Sequence, residues 1–148
     1  IAVPTLDALA YNLLGRQGII CPILNAKKNE VYTALYQSEG ETLKRLSDYW
    51  AIKPEELANK LHDFAETVFF LRGGVNIYRH ILIDSLKESV VFAPAHQTLP
   101  RAASIAALAW QRAKQNDFDD LYDCSIIYVR KSEAEVRWEA THGQKITS

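Results

Sequence analysis

Near the C-terminal end the run IIYVRKSEAEVRWE, residues 126–139, sets two carboxylates, Glu133 and Glu135, after a stretch of apolar residues. Paired acids are the raw material of general acid–base work or of a metal site, but a working pair faces across a cleft. Two positions apart on a helix, these would diverge. Ser132 with Glu135 three residues on instead fits a capping box, in which side chain and backbone satisfy each other's orphan amides. A second stretch, Arg72-Gly73-Gly74-Val75-Asn76, stands where an apolar run gives way to helical spacing, a place where backbone amides could face a phosphate. It carries neither GxxxxGK[ST] nor GxGxxG, so a tight turn and a nucleotide turn both stay open. Asn25, Lys27, Lys28 and Glu30 bracket a polar turn, which is either a patch at a sheet end or a solvated loop. His62, His80, His96 and His142 fall in separate segments without ligand spacing, so no metal is expected. Cys21 and Cys124 sit in apolar contexts without CxxC, and no serine lies in a GxSxG elbow. Both thiols are expected buried and reduced, and no catalytic constellation is expected.

The elements that must position these residues follow from periodicity. In PTLDALAYNLLGRQG, Thr5 is placed to cap a helix, Asp7 falls in its first turn, and Leu6, Leu9, Ala10, Leu13 and Leu14 form one stripe that Gly15 or Gly18 would end. IICPILNAKKNEVYTALYQ reads as two strands about a turn at Lys27–Asn29, and a third strand over about residues 42–51 completes an antiparallel meander. Lys53-Pro54-Glu55-Glu56 opens a helix with Leu57, Leu61 and Phe64 on its apolar face. The buried strand TVFFL, the helix NIYRHILIDSL and the short strand VVFAP follow. Pro100 introduces a helix whose Ala102, Ile105, Ala106, Leu108, Ala109 and Ala113 predict a core-facing stripe that Trp110 joins. The strand IIYVR and a helix from Ser132 close the chain. Crossovers of helical length imply parallel pairing, so the expected fold is α/β: a mixed five-stranded sheet, three antiparallel strands then two parallel ones, with helices on both faces. That order matches the ribonuclease H-like fold of each lobe of actin-like ATPases.

The bulk numbers set outer bounds. A chain of 148 residues makes one core, and 48% apolar with 24% charged residues is an ordinary globular composition. A net charge of −1 supplies no field to draw in nucleic acid or acidic lipid. No run approaches the ~20 apolar residues of a membrane span, so a cytoplasmic protein is expected. The chain opens at Ile1 and contains no methionine, which suggests a piece of a longer protein.

Taken together, several segments resemble the bacterial TsaB (YeaZ) family of tRNA threonylcarbamoyladenosine biosynthesis proteins. PTLDALAY is similar to its S-[ST]-L-E-A-L-A helix, ILNAKKNEVYTALY to its D-A-R-x-x-E-V-Y hairpin, and Pro100-Arg101-Ala102 to its P-x-A. Tyr128-Val129-Arg130-Lys131-Ser132-Glu133-Ala134-Glu135 is close to the closing Y-[LV]-R-x-S-E-A-E. The family's opening I-L-A-I-D-T-S and G-P-G-S-F-T-G-L-R segments are not in this chain, so residues 1–148 resemble the C-terminal lobe alone. Asn25 stands where the family has aspartate and Lys27 where it has arginine. RGGVNIYR is similar to the G-G-V-x-x-N nucleotide turn of the related TsaD, but Asn76 directly follows Val75.

The resemblance implies a non-catalytic scaffold. Its partners would be TsaD, which transfers the threonylcarbamoyl group to the adenosine beside the tRNA anticodon, and the ATPase TsaE. On that reading Asn25, Lys27, Glu30, Arg130, Ser132, Glu133 and Glu135 are the family-motif polar residues, and Arg72, Gly73 and Gly74 a vestigial turn for ATP or ADP. No cofactor or metal, no strong direct nucleic-acid binding and no membrane association is expected. The alternative is a nucleotide-binding or glycoprotease-like enzyme domain. A lobe without its covering partner would expose apolar surface, so a homodimer is also expected.

Overall fold

The structure, a computed structural model, describes residues 1–120 together with Tyr122, Ile127, Val129, Trp138 and Thr141. The expected strand IIYVR, the helix from Ser132, and Cys124, Arg130, Ser132, Glu133, Glu135 and His142 lie outside the described residues.

Helix α1 spans Thr5–Tyr11, with Asp7 in its first turn. The residue ahead of it is Pro4, whose fixed φ suits an extended lead-in, so Thr5 is the first helical residue and makes no capping hydrogen bond, contrary to the expectation. Strand β1 covers Ile19–Lys27, β2 Glu30–Thr33, β3 Tyr36–Glu39, β4 Thr42–Arg45 and β5 Trp50–Ile52. Helix α2 (Pro54–Leu61), strand β6 (Val68–Leu71), helix α3 (Gly74–Leu86), strand β7 (Val90–Phe92) and helix α4 (Ala102–Lys114) follow.

Among the described residues the sheet has seven strands, where five are expected from the sequence. Two of the expected strands are each broken in the middle. β2 and β3 hold one register against β1, with Thr33 opposite Ile23 and Tyr36 opposite Ile20. Between them the ladder lapses beside Pro22, which has no N–H to donate. There Leu35 turns to the next lane: its carbonyl accepts from Leu46 N at 2.7 Å and its N–H donates to Ser47 Oγ at 2.9 Å. That lane breaks in turn, β4 pairing with β3 and β5 with β2 on either side of residues 46–49. All of these pairs are antiparallel. On the far side of β1, β6 runs parallel to it and β7 parallel to β6.

Alternation along the strands divides the core. Ile19, Cys21, Ile23, Val68 and Phe70 point to one face, where Leu57 and Leu61 of α2 and Val75, Tyr78, Leu82 and Leu86 of α3 cover them. Ile20, Ala34, Tyr36 and Leu71 point to the other, under Leu6, Leu9, Ala10 and Leu13 of α1. Four of the five predicted stripe residues are thus core, while Leu14, beyond the end of α1, is half-buried. Helix α4 packs on α1. It turns Ser104 inward, leaving Ile105 exposed and Trp110 64% exposed. The expected core role for that stripe, and for Trp110, is corrected: a helix laid over another helix buries only the side that touches it. Among the described residues no helix is long and apolar enough to cross a membrane.

Candidate functional site

Two of the sequence-read clusters meet at one end of the sheet. Because β6 runs parallel to β1 with Leu71 opposite Pro22, the turn that follows it rises beside Ile23, two residues from Asn25. The glycines do unequal work there. Gly73 precedes α3 with an ordinary φ of −64°, and a Cβ on it would meet nothing. A Cβ on Gly74 would stand 3.0 Å from the Ile23 carbonyl oxygen, so any larger residue would push α3 or the Ile23 backbone by a few tenths of an ångström. The positive φ that the tight-turn reading would give to a glycine falls on Arg72, at 88°. Strain of that kind costs about 1–3 kcal/mol for a side chain with a Cβ and is retained where the surroundings impose it. Val75 N donates to Arg72 O at 3.1 Å, which takes up one amide of the α3 N-terminus.

The hairpin beside this turn is built by local geometry. Asn25 Oδ1 accepts a hydrogen bond from Lys27 N at 3.0 Å, and Lys27, Lys28 and Asn29 all adopt positive φ, at 62°, 51° and 59°. Asn25 therefore shapes the turn, as short polar side chains do. The ladder shifts between Asn25 and Lys27, and Glu30 stands opposite Lys27 across the hairpin. Thus Asn25, Lys27, Glu30, Arg72, Gly73 and Gly74 occupy one end of the sheet.

A polar cluster that sequence reasoning missed lies on the α1 face. Tyr36 and Tyr49 both donate their phenolic protons to Asp7 Oδ1, at 2.6 and 2.8 Å. The Arg45 guanidinium lies 4.2 Å over the Tyr49 ring. Burial, then the charge of Asp7 and the hydrogen bond to it, hold the Tyr36 phenol far above its usual range. Tyr49 is raised as well, by burial and then by the hydrogen bond to Asp7. Two phenols that keep their protons are donors, not bases. Residues 7, 36 and 49 share no motif, and only Asp7 carried a signal, as an acid in a helix's first turn.

A second missed cluster ties the chain's first residues to the end of α4. Arg112 donates through Nε to Asp117 Oδ2 at 2.6 Å, through Nη2 to Asp119 Oδ1 at 2.9 Å, and through Nη1 to Ala2 O at 2.8 Å. Asp119 Oδ2 accepts from Ala2 N at 2.6 Å. Cys21, by contrast, is buried beside Thr33 Oγ1 at 3.3 Å, and burial pushes its thiol up to about 12, which leaves it almost no thiolate at neutral pH. No group of three or more metal-ligating side chains occurs among the described residues.

A family model described as TsaD: tRNA N6-adenosine threonylcarbamoyltransferase matches residues 1–138. The chain is 28% identical over 137 residues to the tRNA threonylcarbamoyladenosine biosynthesis protein TsaB of Bacillus subtilis (strain 168), a match covering 93% of this chain and 58% of that protein. Among solved structures it is similar to an uncharacterized protein with similarity to peptidase YEAZ from Pseudomonas aeruginosa, with a TM-score of 0.70, 19% identity, and coverage of 88% of this chain and 58% of that one. It is also similar to YeaZ from Pseudomonas aeruginosa, with a TM-score of 0.65, 20% identity, and coverage of 86% and 59%. The chain therefore spans somewhat over half the length of these relatives.

Proposed function

Since the chain belongs to the family described as TsaD: tRNA N6-adenosine threonylcarbamoyltransferase and is TsaB/YeaZ-like within it, we propose that it is a non-catalytic lobe serving threonylcarbamoyladenosine formation in tRNA. The observation that carries this reading is the match to TsaB across 93% of the chain. The chemistry of the described residues supports it. The buried thiol of Cys21 and the proton-bound phenols of Tyr36 and Tyr49 are poor nucleophiles and bases, and the Arg112 cluster joins backbone to helix. We read the sheet, antiparallel lanes followed by parallel β6 and β7, as a ribonuclease H-like lobe. The intact protein would be cytoplasmic and would pair with TsaD, with TsaE joining that pair.

The experiment is complementation of a TsaB-depleted strain with the full-length protein carrying Glu30→Ala, Arg72→Ala and Glu133→Ala. Retained modification is expected. Loss of modification while the protein still co-purifies with TsaD would overturn a purely structural role. Self-association belongs to the same reading, because Ile105 and Trp110 lie exposed along α4. A dimer of the 148-residue chain is expected in sedimentation, and a clean monomer at high concentration would refute it.

The enzyme alternative rests on the α3 N-terminus and the strained Arg72 beside it. Calorimetric binding of ATP or ADP at micromolar affinity, on the order of −8 kcal/mol, would favour it.

A further inference from the structure

A cavity of about 180 Å³ lies between the N-terminal segment, α1 and α4, away from the glycine turn and the hairpin, with Val3, Asp7, Leu108, Gln111, Arg112 and Gln115 on its walls. Asp7 is held from the sheet side through Oδ1, which takes both phenol protons. Its Oδ2 receives no hydrogen bond from the described residues. Among the described residues the cation on the wall is Arg112, and the five N–H donors of its guanidinium are already spent. Nε and Nη2 reach Asp117 at 2.6 and 3.0 Å, Nη2 and Nη1 reach Asp119 at 2.9 and 3.3 Å, and Nη1 reaches Ala2 O at 2.8 Å. Asp117 and Asp119 neutralise its charge.

Among the described residues the wall therefore offers one carboxylate oxygen to spare, two side-chain amides and an apolar part from Val3 and Leu108. An anion would find no free donor on Arg112 and would face Asp7. A purely apolar guest would strip water from Asp7 Oδ2 without replacing it, which costs about 1–3 kcal/mol or more. The volume is on the order of six waters, enough for a short stem with a polar end.

We propose that this cavity binds a primary ammonium on a short aliphatic stem. The ammonium donates to Asp7 Oδ2 and to the amide oxygens of Gln111 and Gln115, and the stem lies against Val3 and Leu108. A free alkylamine and a lysine side chain share that chemistry, and the test separates them. The protein, labelled with ¹⁵N, is titrated with n-butylammonium chloride and, separately, with Nα-acetyl-lysine methylamide, each against sodium chloride of equal ionic strength. Saturable shifts confined to residues 2–8 and 108–115 are expected. Asp7→Asn, which keeps an amide oxygen to accept from both tyrosines, should weaken binding about tenfold, the size of one lost charged hydrogen bond. Leu108→Phe, which narrows the cavity without touching the acceptor, should weaken it too. Tighter binding of butylammonium assigns a free amine, and tighter binding of the lysine derivative assigns a partner's side chain. Shifts that do not saturate, or that are equal in wild type and Asp7→Asn, overturn the proposal.

Discussion

Asp7 Oδ1 accepts from Tyr36 and Tyr49 at once, and so fastens the start of α1 to β3 and to the loop between β4 and β5. Both phenols are raised when folded, so the sign of the pH effect is set. Their stabilisation is complete below the usual tyrosine value near 10 and is lost as pH rises above it, where the unfolded chain gives up protons that the folded one keeps. Of the seven tyrosines, Tyr36 and Tyr49 should stay un-ionised at 295 nm well above pH 10, until alkaline unfolding releases them together. Tyr36→Phe should cost about 1–3 kcal/mol in urea denaturation and should blunt the alkaline loss. Ionisation of all seven near pH 10 in the folded protein would contradict this. Legibility at this scale was uneven. Asn25 and Lys27 read from the sequence as either a polar patch or a solvated turn, and in the fold Asn25 is a turn former. Cys21 was read as a buried thiol from its apolar neighbours, and it is one.

The turn between β6 and α3 sets how closely helix and sheet can approach. Gly74 is packed against Ile23, whereas Gly73 faces open space at an ordinary φ. Gly74→Ala should therefore destabilise by about 1–3 kcal/mol, as overpacking does. Gly73→Ala should be neutral or gain up to about 1 kcal/mol by stiffening the unfolded chain. Equal effects of the two in urea denaturation would refute the assignment. The sequence marked this pair but could not rank its members, because the distance to Ile23 depends on β6 lying beside β1. The break between β2 and β3 was hidden for a similar reason: EVYTALYQ reads as one strand with both faces covered, and the proline that interrupts its ladder is on the neighbouring strand.

At the scale of the molecule, Arg112, Asp117 and Asp119 join the first residues to the end of α4. Hydrogen bonds from Arg112 hold both carboxyls below their usual range, and the Ala2 amide adds to the effect at Asp119. A depressed folded value means stabilisation that is present above the ordinary carboxylate range and lost as pH falls through the folded value. The Tm gap between wild type and Asp117→Asn/Asp119→Asn should thus be open at pH 7, shrink in molar salt, and close as pH falls below the ordinary carboxylate range. A gap independent of pH and salt would sink this lock. By itself the amino-acid order determined the strand-and-helix succession as far as α4, apart from the two broken strands, the core role of Leu6, Leu9, Ala10 and Leu13 in the stripe that also included Leu14, and the hairpin turn at Lys27–Asn29, since periodicity and turn chemistry act between near neighbours. Only the tertiary structure decided that α4 lies on α1 with Trp110 outward, that Asp7 meets Tyr36 and Tyr49, and that Arg112 reaches back to Ala2. Each of these depends on which surface a neighbour distant in sequence happens to cover, and a local pattern carries no record of that.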